Sequence, residues 1–517
     1  MSNKELESLQ ETQSNYQTIV SQIEQLQRQQ STFAKYLIEL EQCIDNLSEQ
    51  FSNRPELQQI AKIQDKLARI QELNLSVDDT PSGVSMTDDI AMTISELRLS
   101  AYQVTDRPNL TTEEFWKRYQ NGQLDFTGYN LVKLDLSEKF LNATKKLNFS
   151  HAILIRANLQ RANLASANLS SANLQHAKLS KAILEHANLS SANLEKADLR
   201  QAFFSKTKLK GANLKEANLS TVDFSLQVTL DEADLSGANL SQGNLRNVDF
   251  SNVNLYQANL SRANLLATCF EGSDLQGAKL SKAVYDLSTV FPADFDLTQT
   301  EAYLIAPNTN LYKAHLAGYN LAEVNLSRAN LQQANLYTTN LSGANISEAD
   351  LSGANLSQAN LKGAIMLQAN LQAANLSGVN LTYANLTAAN LTEAYLSRAC
   401  LKGTNFTAAN LNHVNLQNTN LDKINLSGAT LVEANLIGVV FQGNLRGANL
   451  KAVKLCGANL SKANLSETNL TLADLRGADL SNANLEKANL AGASLSGANL
   501  VGAKLSGATM PDGSVHK

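Results

Sequence analysis

Catalysis and metal binding require side chains that converge, and this sequence offers few candidates. None of the six histidines stands in a His-Glu-x-x-His or other metal-ligand spacing. The four cysteines, at positions 43, 269, 400 and 456, lack metal or disulfide spacing, so we predict that they are reduced and structural. The sequence contains no phosphate-binding Gly-Lys loop and no nucleophile elbow. We therefore predict a protein that is not an enzyme and has no cofactor or metal site.

Charge is distributed unevenly along the chain, and this makes a binding surface the better hypothesis. Residues 145–216 contain 12 Lys and Arg against 4 Asp and Glu, whereas residues 217–301 contain 4 against 11. Residues 1–125 are also acidic, with 11 basic and 20 acidic side chains. Like charges held close together repel each other, and salt screens only part of that repulsion. The basic segment is therefore the candidate contact for an anionic partner.

A five-residue pattern positions these side chains from Ala152 onward: a small residue, Asn or Asp, Leu, and two mostly polar residues. On an α-helix this spacing would spread the leucines around the axis, and on a straight strand it would alternate them between faces. The chain must therefore turn once per repeat, with Ala and Leu inward and Asn beside the corner. Phe204 and Phe224 are four repeats apart, as are Phe250 and Phe270. These pairs would stack if four repeats make one coil.

Repeats such as Ala157-Asn158-Leu159 resemble the pentapeptide-repeat family, whose pattern is A-(D/N)-L-x-x. The resemblance covers most of the chain. It implies a mainly β fold, a right-handed quadrilateral β-helix with four repeats per coil. Some family members resemble DNA in shape and charge and bind DNA gyrase, so the resemblance also implies a role in binding.

The repeat pattern defines two β-helices separated by one interruption. We predict a first β-helix at residues 126–285, an interrupting loop at 286–310 and a second β-helix at 311–517. Tyr replaces the inward Ala at positions 129 and 319. A side chain of this size fits only where the neighbouring coil is missing or displaced, so each Tyr indicates a β-helix start.

Two smaller faults occur within the repeats. One extra residue lies between Phe224 and Leu230, and one residue is missing between Phe441 and Leu445. We expect a bulge or kink at each place.

The N-terminal region is predicted to be helical. Residues 1–75 have apolar side chains at three- and four-residue steps, which favours either a helical hairpin or a dimerising coiled coil. Residues 76–125 are predicted to contain a linker and helices that cap the β-helix, because an open end would leave strand edges unpaired. Trp116 and Tyr119 are the expected covering residues.

A coil of four repeats would align cations of the basic segment on two adjacent faces. The candidate binding strip consists of Arg156 and Lys196 on one face, and Arg161, Lys181 and Arg200 on the next. The strip either contacts an anionic partner, is covered by the acidic N-terminal helices, or is simply solvated.

These observations favour a non-enzymatic scaffold that binds an unknown protein partner, with the N-terminal helices available for homo-oligomerisation or partner recruitment. One alternative is a DNA-mimicking, gyrase-binding protein, which would require a strongly acidic β-helix. The other is an anionic ligand, nucleic acid or membrane, bound through residues 145–216. Nucleic acid is the less favoured ligand, because that segment has almost no interleaved aromatic residues.

The sequence favours a cytoplasmic location. Its first residues are polar and acidic, without the features of a secretory signal. No apolar run approaches the length of a transmembrane helix.

Overall fold

The computed structural model describes residues 109–138, 141, 146–417, 419, 421 and 423–517. The chain divides into two compact units. The first comprises Met1–Leu134 and Ala152–Ile155, and the second comprises Asp135–His151 and Arg156–Lys517. The helical hairpin or coiled coil predicted at 1–75 lies outside the described residues, as does the linker predicted to begin at residue 76.

Helix α1, Thr112–Gln120, lies in the first unit and is bounded by local signals. Its N-cap residue, Thr111, accepts a hydrogen bond from the Glu114 N–H, and the Glu114 carboxylate accepts one from the Thr111 N–H. This reciprocal capping box satisfies two amide groups that the first turn leaves unpaired. Gly122, at a φ of 91°, follows the C-cap and provides the left-handed residue that ends the helix.

Phe115 provides the buried contact of α1 with the first repeats. Its ring centroid lies 4.5 Å from that of Phe126, and both side chains are fully buried. Trp116 and Tyr119 flank this contact, with centroids 5.7 Å and 6.2 Å from that of Phe115. The sequence predicted Trp116 and Tyr119 as the cover, but the fully buried residue of the helix is Phe115.

Each repeat of the second unit consists of one bridged residue followed by a tight turn. At Leu159, the Ala162 N–H donates to the Leu159 carbonyl oxygen at 3.1 Å and closes a turn over Gln160 and Arg161. Arg161 has a φ of 55°, and a positive φ at the second central position is the type II arrangement. Leu159 and Ala162 are both buried. The turn therefore directs the apolar residues inward and the two polar residues outward.

Successive coils pair in parallel with a register of four repeats. Residues 158, 163, 168 and 173 bridge residues 178, 183, 188 and 193 in turn, so four repeats make one coil. The ring centroids of Phe204 and Phe224 are 4.9 Å apart, and those of Phe250 and Phe270 are 5.4 Å apart. Both pairs are in contact across neighbouring coils, but only Phe250 and Phe270 stack as expected, because the rings of Phe204 and Phe224 meet edge to face at 85°. The right-handed sense of the coil stays a prediction from the resemblance.

An Asn before an inward Leu can stabilise both its own turn and the neighbouring coil, as Asn370 does. The Oδ1 of Asn370 accepts from the Gln372 N–H at 3.3 Å and from Asn390 Nδ2 at 3.0 Å. The Nδ2 of Asn370 donates to Asp350 Oδ1, also at 3.0 Å. The local bond was expected from the sequence, whereas the amide ladder between coils was not.

The extra residue after Phe224 is absorbed in one corner. Leu226 is 53% exposed, and the register becomes one residue longer than four repeats, as in the Lys208–Thr229 bridge. Asp234 then bridges Asn254, so the four-repeat register resumes within one coil.

The missing residue after Phe441 is also accommodated locally. Asn425 bridges Asn444, so the register there is one residue shorter than four repeats. A Cβ atom on Gly443 would lie 2.8 Å from the Ile424 carbonyl oxygen, so the shortened corner requires glycine. Asn444 bridges Asn464 and restores the four-repeat register.

Residues 286–310 interrupt the repeat but continue the strand pairing. Strand β1, Val284–Tyr285, pairs in parallel with strand β2, Tyr303–Leu304. Between them lies a 3₁₀ helix, Leu297–Gln299, whose N-cap is Asp296. Asn310 bridges Asn330 and begins the ladders of the later repeats.

Aromatic side chains of the interrupting segment stack on one another and on the last regular coil. The ring of Phe291 stacks on Phe270 with centroids 5.4 Å apart, and Phe295 stacks on Phe291 at 5.5 Å. Phe291 and Phe295 are only half-buried, so the stacked rings continue past the last regular repeat outside the buried core.

Replacing a corner glycine by alanine measures the free energy that a non-glycine residue loses when it adopts the left-handed conformation. Gly363 has a φ of 68°, and a Cβ added to it would meet nothing within 4 Å. Gly363→Ala should lower the free energy of unfolding by about 1 kcal/mol, because only the backbone preference changes. Urea unfolding monitored by circular dichroism measures this loss. Gln372→Ala, at an outward position with ordinary φ, is the control and should change stability by less than about 0.5 kcal/mol. Equal stability of both variants would contradict the corner assignment.

Candidate functional site

The corner geometry places three potential cations of the basic segment in one column. Arg156, His176 and Lys196 occupy the left-handed corner position of consecutive coils, with φ values of 56°, 56° and 57°. Backbone N–H groups of Arg156 and His176 donate to the next coil, to the carbonyl oxygens of Gln175 and Glu195, both at 2.9 Å. The column thus repeats at the strand spacing of about 4.8 Å, fixed by main-chain bonds.

A second column occupies the next corner of the same coils. Arg161 and Lys181 have φ values of 55° and 59°, and both side chains are exposed. The Lys181 N–H donates to the Arg200 carbonyl oxygen at 2.9 Å, which places Arg200 beside this column in the following coil. The structure therefore arranges the five predicted strip residues on two adjacent corners, as a coil of four repeats requires.

The pKa of the His176 imidazole reflects the positive charge of its neighbours in the first column. Its pKa is lowered by burial of the ring, and further by the positive charges of Lys196 and Arg156. Glu195 and Glu216 oppose the shift but do not cancel it. His176 is therefore held toward its neutral form by cations one coil below and one coil above.

Carboxylates within the second unit neutralise part of the strip. Three of the five predicted cations form ion pairs: Arg161 with Glu138 at 2.8 Å, Arg200 with Asp198 at 2.8 Å, and Lys196 with Glu216 at 3.5 Å. The hydrogen bond from Arg200 is the main cause that lowers the pKa of Asp198. Among the described residues, Lys181 has no ion-pair partner.

These ion pairs leave the strip able to bind a partner. Arg161 and Glu138 are 58% and 67% exposed, so their attraction is strongly screened by water. Exposed pairs of this kind contribute at most about 1 kcal/mol each. A partner's carboxylate can therefore replace Glu138 at small cost. The arrangement can bind an anionic surface.

The described part of the chain contains no arrangement typical of a metal site. No group of three or more His, Cys, Asp or Glu side chains there could hold a metal ion. Cys269, Cys400 and Cys456 are free thiols, and the first two lie within 3.3 Å of the hydroxyl groups of Ser251 and Thr382. No helix within the described residues is long and apolar enough to span a membrane.

Sequence reasoning missed the carboxylate partners of the strip. Glu216 lies four repeats after Lys196, so the coil length alone could have identified this pair. Glu138 is not a whole number of repeats away from Arg161, and no simple spacing rule points to it.

Removing one cation of the first column should change the titration of His176. We expect Lys196→Gln to raise the pKa of His176, because one source of positive charge is lost while the burial of the ring is unchanged. An NMR titration of the imidazole protons measures the shift. Lys206→Gln removes the same charge from the diagonally opposite corner and should leave this pKa unchanged. Indistinguishable titrations in the two variants would show that Lys196 does not act on His176.

Solved structures of repeat proteins resemble parts of this chain. HetL from the cyanobacterium Nostoc sp. strain PCC 7120, involved in heterocyst differentiation regulation, is 24% identical, with 79% of this chain and 100% of HetL covered and a TM-score of 0.10. Rfr23 from the cyanobacterium Cyanothece 51142 is 22% identical, with 35% and 98% covered and a TM-score of 0.12. QnrB1, a plasmid-mediated fluoroquinolone resistance protein, is 17% identical, with 34% and 90% covered and a TM-score of 0.22. No curated protein matches the sequence.

A match to a family model establishes the family of this chain, which structural similarity at such low TM-scores cannot establish. The model described as "Pentapeptide repeats (8 copies)" matches segments that together span more than half of the chain: residues 148–185, 187–225, 229–265, 308–343, 339–378, 369–407, 409–443, 444–482 and 473–510. These segments correspond to the coils whose turns and ladders are described above. The chain therefore belongs to the pentapeptide-repeat family.

Proposed function

We propose that this protein is a non-enzymatic scaffold that binds a protein partner through the outward side chains of its β-helix. The observation that carries the proposal is the first column, in which Arg156 and Lys196 flank the neutral His176 at a spacing set by backbone hydrogen bonds. Because the backbone holds the positive charges of Arg156 and Lys196 on one corner, their mutual repulsion is already part of the folded state. A partner that supplies carboxylates at this spacing gains attraction without ordering the scaffold.

A protein partner fits the strip better than a nucleic acid. The ion pairs with Glu138, Asp198 and Glu216 make the surface a mixed one, in which acidic groups lie next to the cations. A continuous phosphate backbone would meet these carboxylates, whereas a protein surface can present both signs of charge. Electrostatic complementarity of this kind mainly provides specificity and a fast association rate.

The N-terminal region provides a second proposed function, either oligomerisation or recruitment of a partner. Residues 1–125 have 11 basic and 20 acidic side chains, so they could also compete for the strip. Under that alternative, removal of the region would increase binding of an acidic partner.

A gyrase-binding role is less well supported. DNA mimicry requires a strongly acidic β-helix, whereas residues 126–517 contain 32 basic and 28 acidic side chains. Only residues 217–301 have a clear acidic excess. The fluoroquinolone resistance named for QnrB1 belongs to that protein, and a supercoiling assay with purified gyrase tests whether it extends here. We expect no inhibition and no protection from fluoroquinolones.

Charge reversal on the strip tests the scaffold proposal. The immobilised full-length protein is used to capture partners from extract of its own cells after nuclease treatment, and the affinity of the captured protein is measured at two salt concentrations. The triple variant Arg156→Glu, Lys181→Glu and Lys196→Glu should weaken binding at least tenfold, because attraction becomes repulsion at three positions. Binding by the unmodified protein should weaken as salt increases.

The matched control reverses Lys206, Lys208 and Lys210 in the same segment. This variant has the same change in net charge, but the three residues lie on other sides of the coil. It should retain the partner with an affinity within about threefold of the unmodified protein. Equal retention by both triple variants would refute the strip as the contact surface.

A further inference from the structure

Two apolar side chains lie on the outside of the coil beside the basic strip, at the repeat position that is mostly Asn or Asp elsewhere. Phe203 is 56% exposed, and Ile183, one coil earlier, is half-buried. The two residues bridge each other in the parallel ladder, so their side chains lie side by side on one face. Ile183 and Phe203 form the apolar pair.

The apolar pair occupies a place where other faces of the coils have hydrogen bonds between amides. On the opposite face, Asn213 Nδ2 donates to Asn193 Oδ1 at 3.2 Å. Ile183 and Phe203 form no such side-chain bond, and Phe203 keeps more than half of its surface in water. A ring that adds neither a ladder bond nor core packing is suited to contact with a partner, since aromatic residues are enriched at the centres of interfaces.

Backbone hydrogen bonds fix the apolar pair next to the unpaired cation of the strip. The Phe203 N–H donates to the Ala182 carbonyl oxygen at 2.9 Å, and the Leu184 N–H donates to the Phe203 carbonyl oxygen at 2.8 Å. These two bonds hold Phe203 beside the residues that directly follow Lys181. Lys181 is exposed and forms no ion pair within the part of the chain that the structure describes. An ammonium group and an exposed ring are therefore neighbours on this surface.

The positions of Lys181 and Phe203 restrict the shape of a partner that contacts both. Lys181 occupies a left-handed corner, and the apolar pair lies on the face that follows this corner. Arg156 and Lys196, in the other column of the strip, lie on the preceding corner. A corner is convex, so a flat surface that rests on one face does not reach the next. An extended chain segment can pass over the corner and contact both faces.

Neighbouring carboxylates determine the direction in which an acidic segment can extend. Asp223 is exposed and bridges Phe203 in the next coil, and Glu185 is exposed at the corner beyond Ile183. Both carboxylates repel an acidic segment, whereas Lys181 attracts it. The carboxylates of the segment therefore lie on the strip side of the apolar pair.

We propose that the partner of the strip presents an extended acidic segment that passes over the Lys181 corner and packs an apolar side chain against Phe203. This inference rests on the scaffold function proposed above and specifies the chemistry of the partner. One carboxylate pairs with Lys181. An apolar side chain about two or three residues away covers Phe203 and Ile183, since an extended chain advances about 3.3 Å per residue.

A nucleic acid strand fits this surface less well than a protein segment. Stacking of successive bases requires successive rings, and Ile183 provides none. Asp223 also lies where the phosphate backbone would continue beyond Phe203.

The partner captured in the scaffold test is the probe, and its affinity is measured for three variants of the full-length protein. Phe203→Asn introduces the usual residue of the repeat, so it removes the ring without a change in the turn. Lys181→Gln removes the unpaired charge. Tyr395→Asn is the matched control, because Tyr395 also lies at the Asn position of a repeat and is 62% exposed. Circular dichroism of each variant establishes that the fold is retained.

The ring and the charge should respond differently to salt. Phe203→Asn should weaken binding about tenfold at both low and high salt, because ions do not screen the burial of an apolar ring. Lys181→Gln should weaken binding at low salt, and its difference from the unmodified protein should decrease as salt increases. Tyr395→Asn should bind the partner as the unmodified protein does.

Overlapping synthetic peptides that cover the sequence of the captured partner test the extended segment. We expect binding by a peptide that combines carboxylates with an apolar residue, and Phe203→Asn should weaken this binding as it weakens binding of the whole partner. Binding by the folded partner without binding by any peptide would refute the extended segment. Displacement of the partner by a single-stranded oligothymidylate, but not by its own acidic peptide, would refute a protein segment.

The variants also distinguish failure of this inference from failure of the scaffold function. Equal affinity of Phe203→Asn and Tyr395→Asn, with loss of the partner by the triple variant of the strip, would refute the apolar contact and leave the scaffold function standing. If no partner is captured, or if both triple variants retain it, the scaffold function fails and this inference fails with it.

Discussion

A turn at every fifth residue, closed by one hydrogen bond and one left-handed corner residue, determines the structure of the repeats. The turn places the inward Leu and Ala, as at Leu159 and Ala162, and it sets the four-repeat register between coils. For non-glycine residues such as Arg161, the left-handed conformation costs on the order of 1 kcal/mol. The parallel ladders and the burial of each leucine, worth roughly 2 kcal/mol, offset that cost in every repeat.

The sequence predicted the general fold because one signal recurs in every repeat. A period of five excludes a straight helix or strand, and the Phe204–Phe224 spacing indicates the coil length, which the ring contact confirms. The signal does not specify backbone dihedral angles, so the left-handed corners were not foreseen. The role of Phe115 was also missed, because Phe115, Trp116 and Tyr119 all lie within two turns of a short helix, which gives no periodic clue to which one is buried.

The candidate sites differ in how far sequence could predict them. The strip depends only on the register, so Arg156, Lys181 and Lys196 could be aligned once the coil length was known. Its partial neutralisation by Glu216 follows from the same register, whereas the contribution of Glu138 does not, because Glu138 is not a whole number of repeats from Arg161. The exposed ring of Phe203 was not predicted as part of the site, because only the inward Phe204 beside it follows a periodic signal.

The corner at Leu226 and the shortened corner at Gly443 show how this architecture responds to changes in chain length. In each case the regular register returns within one coil, so a displacement caused by one inserted or deleted residue does not accumulate along the stack. A residue inserted within an α-helix would instead rotate the side chains that follow it by about 100°, unless a π-bulge absorbs it. Here evolution can lengthen, shorten or decorate one coil while the surfaces on either side keep their geometry, so separate binding surfaces of one chain can diverge independently.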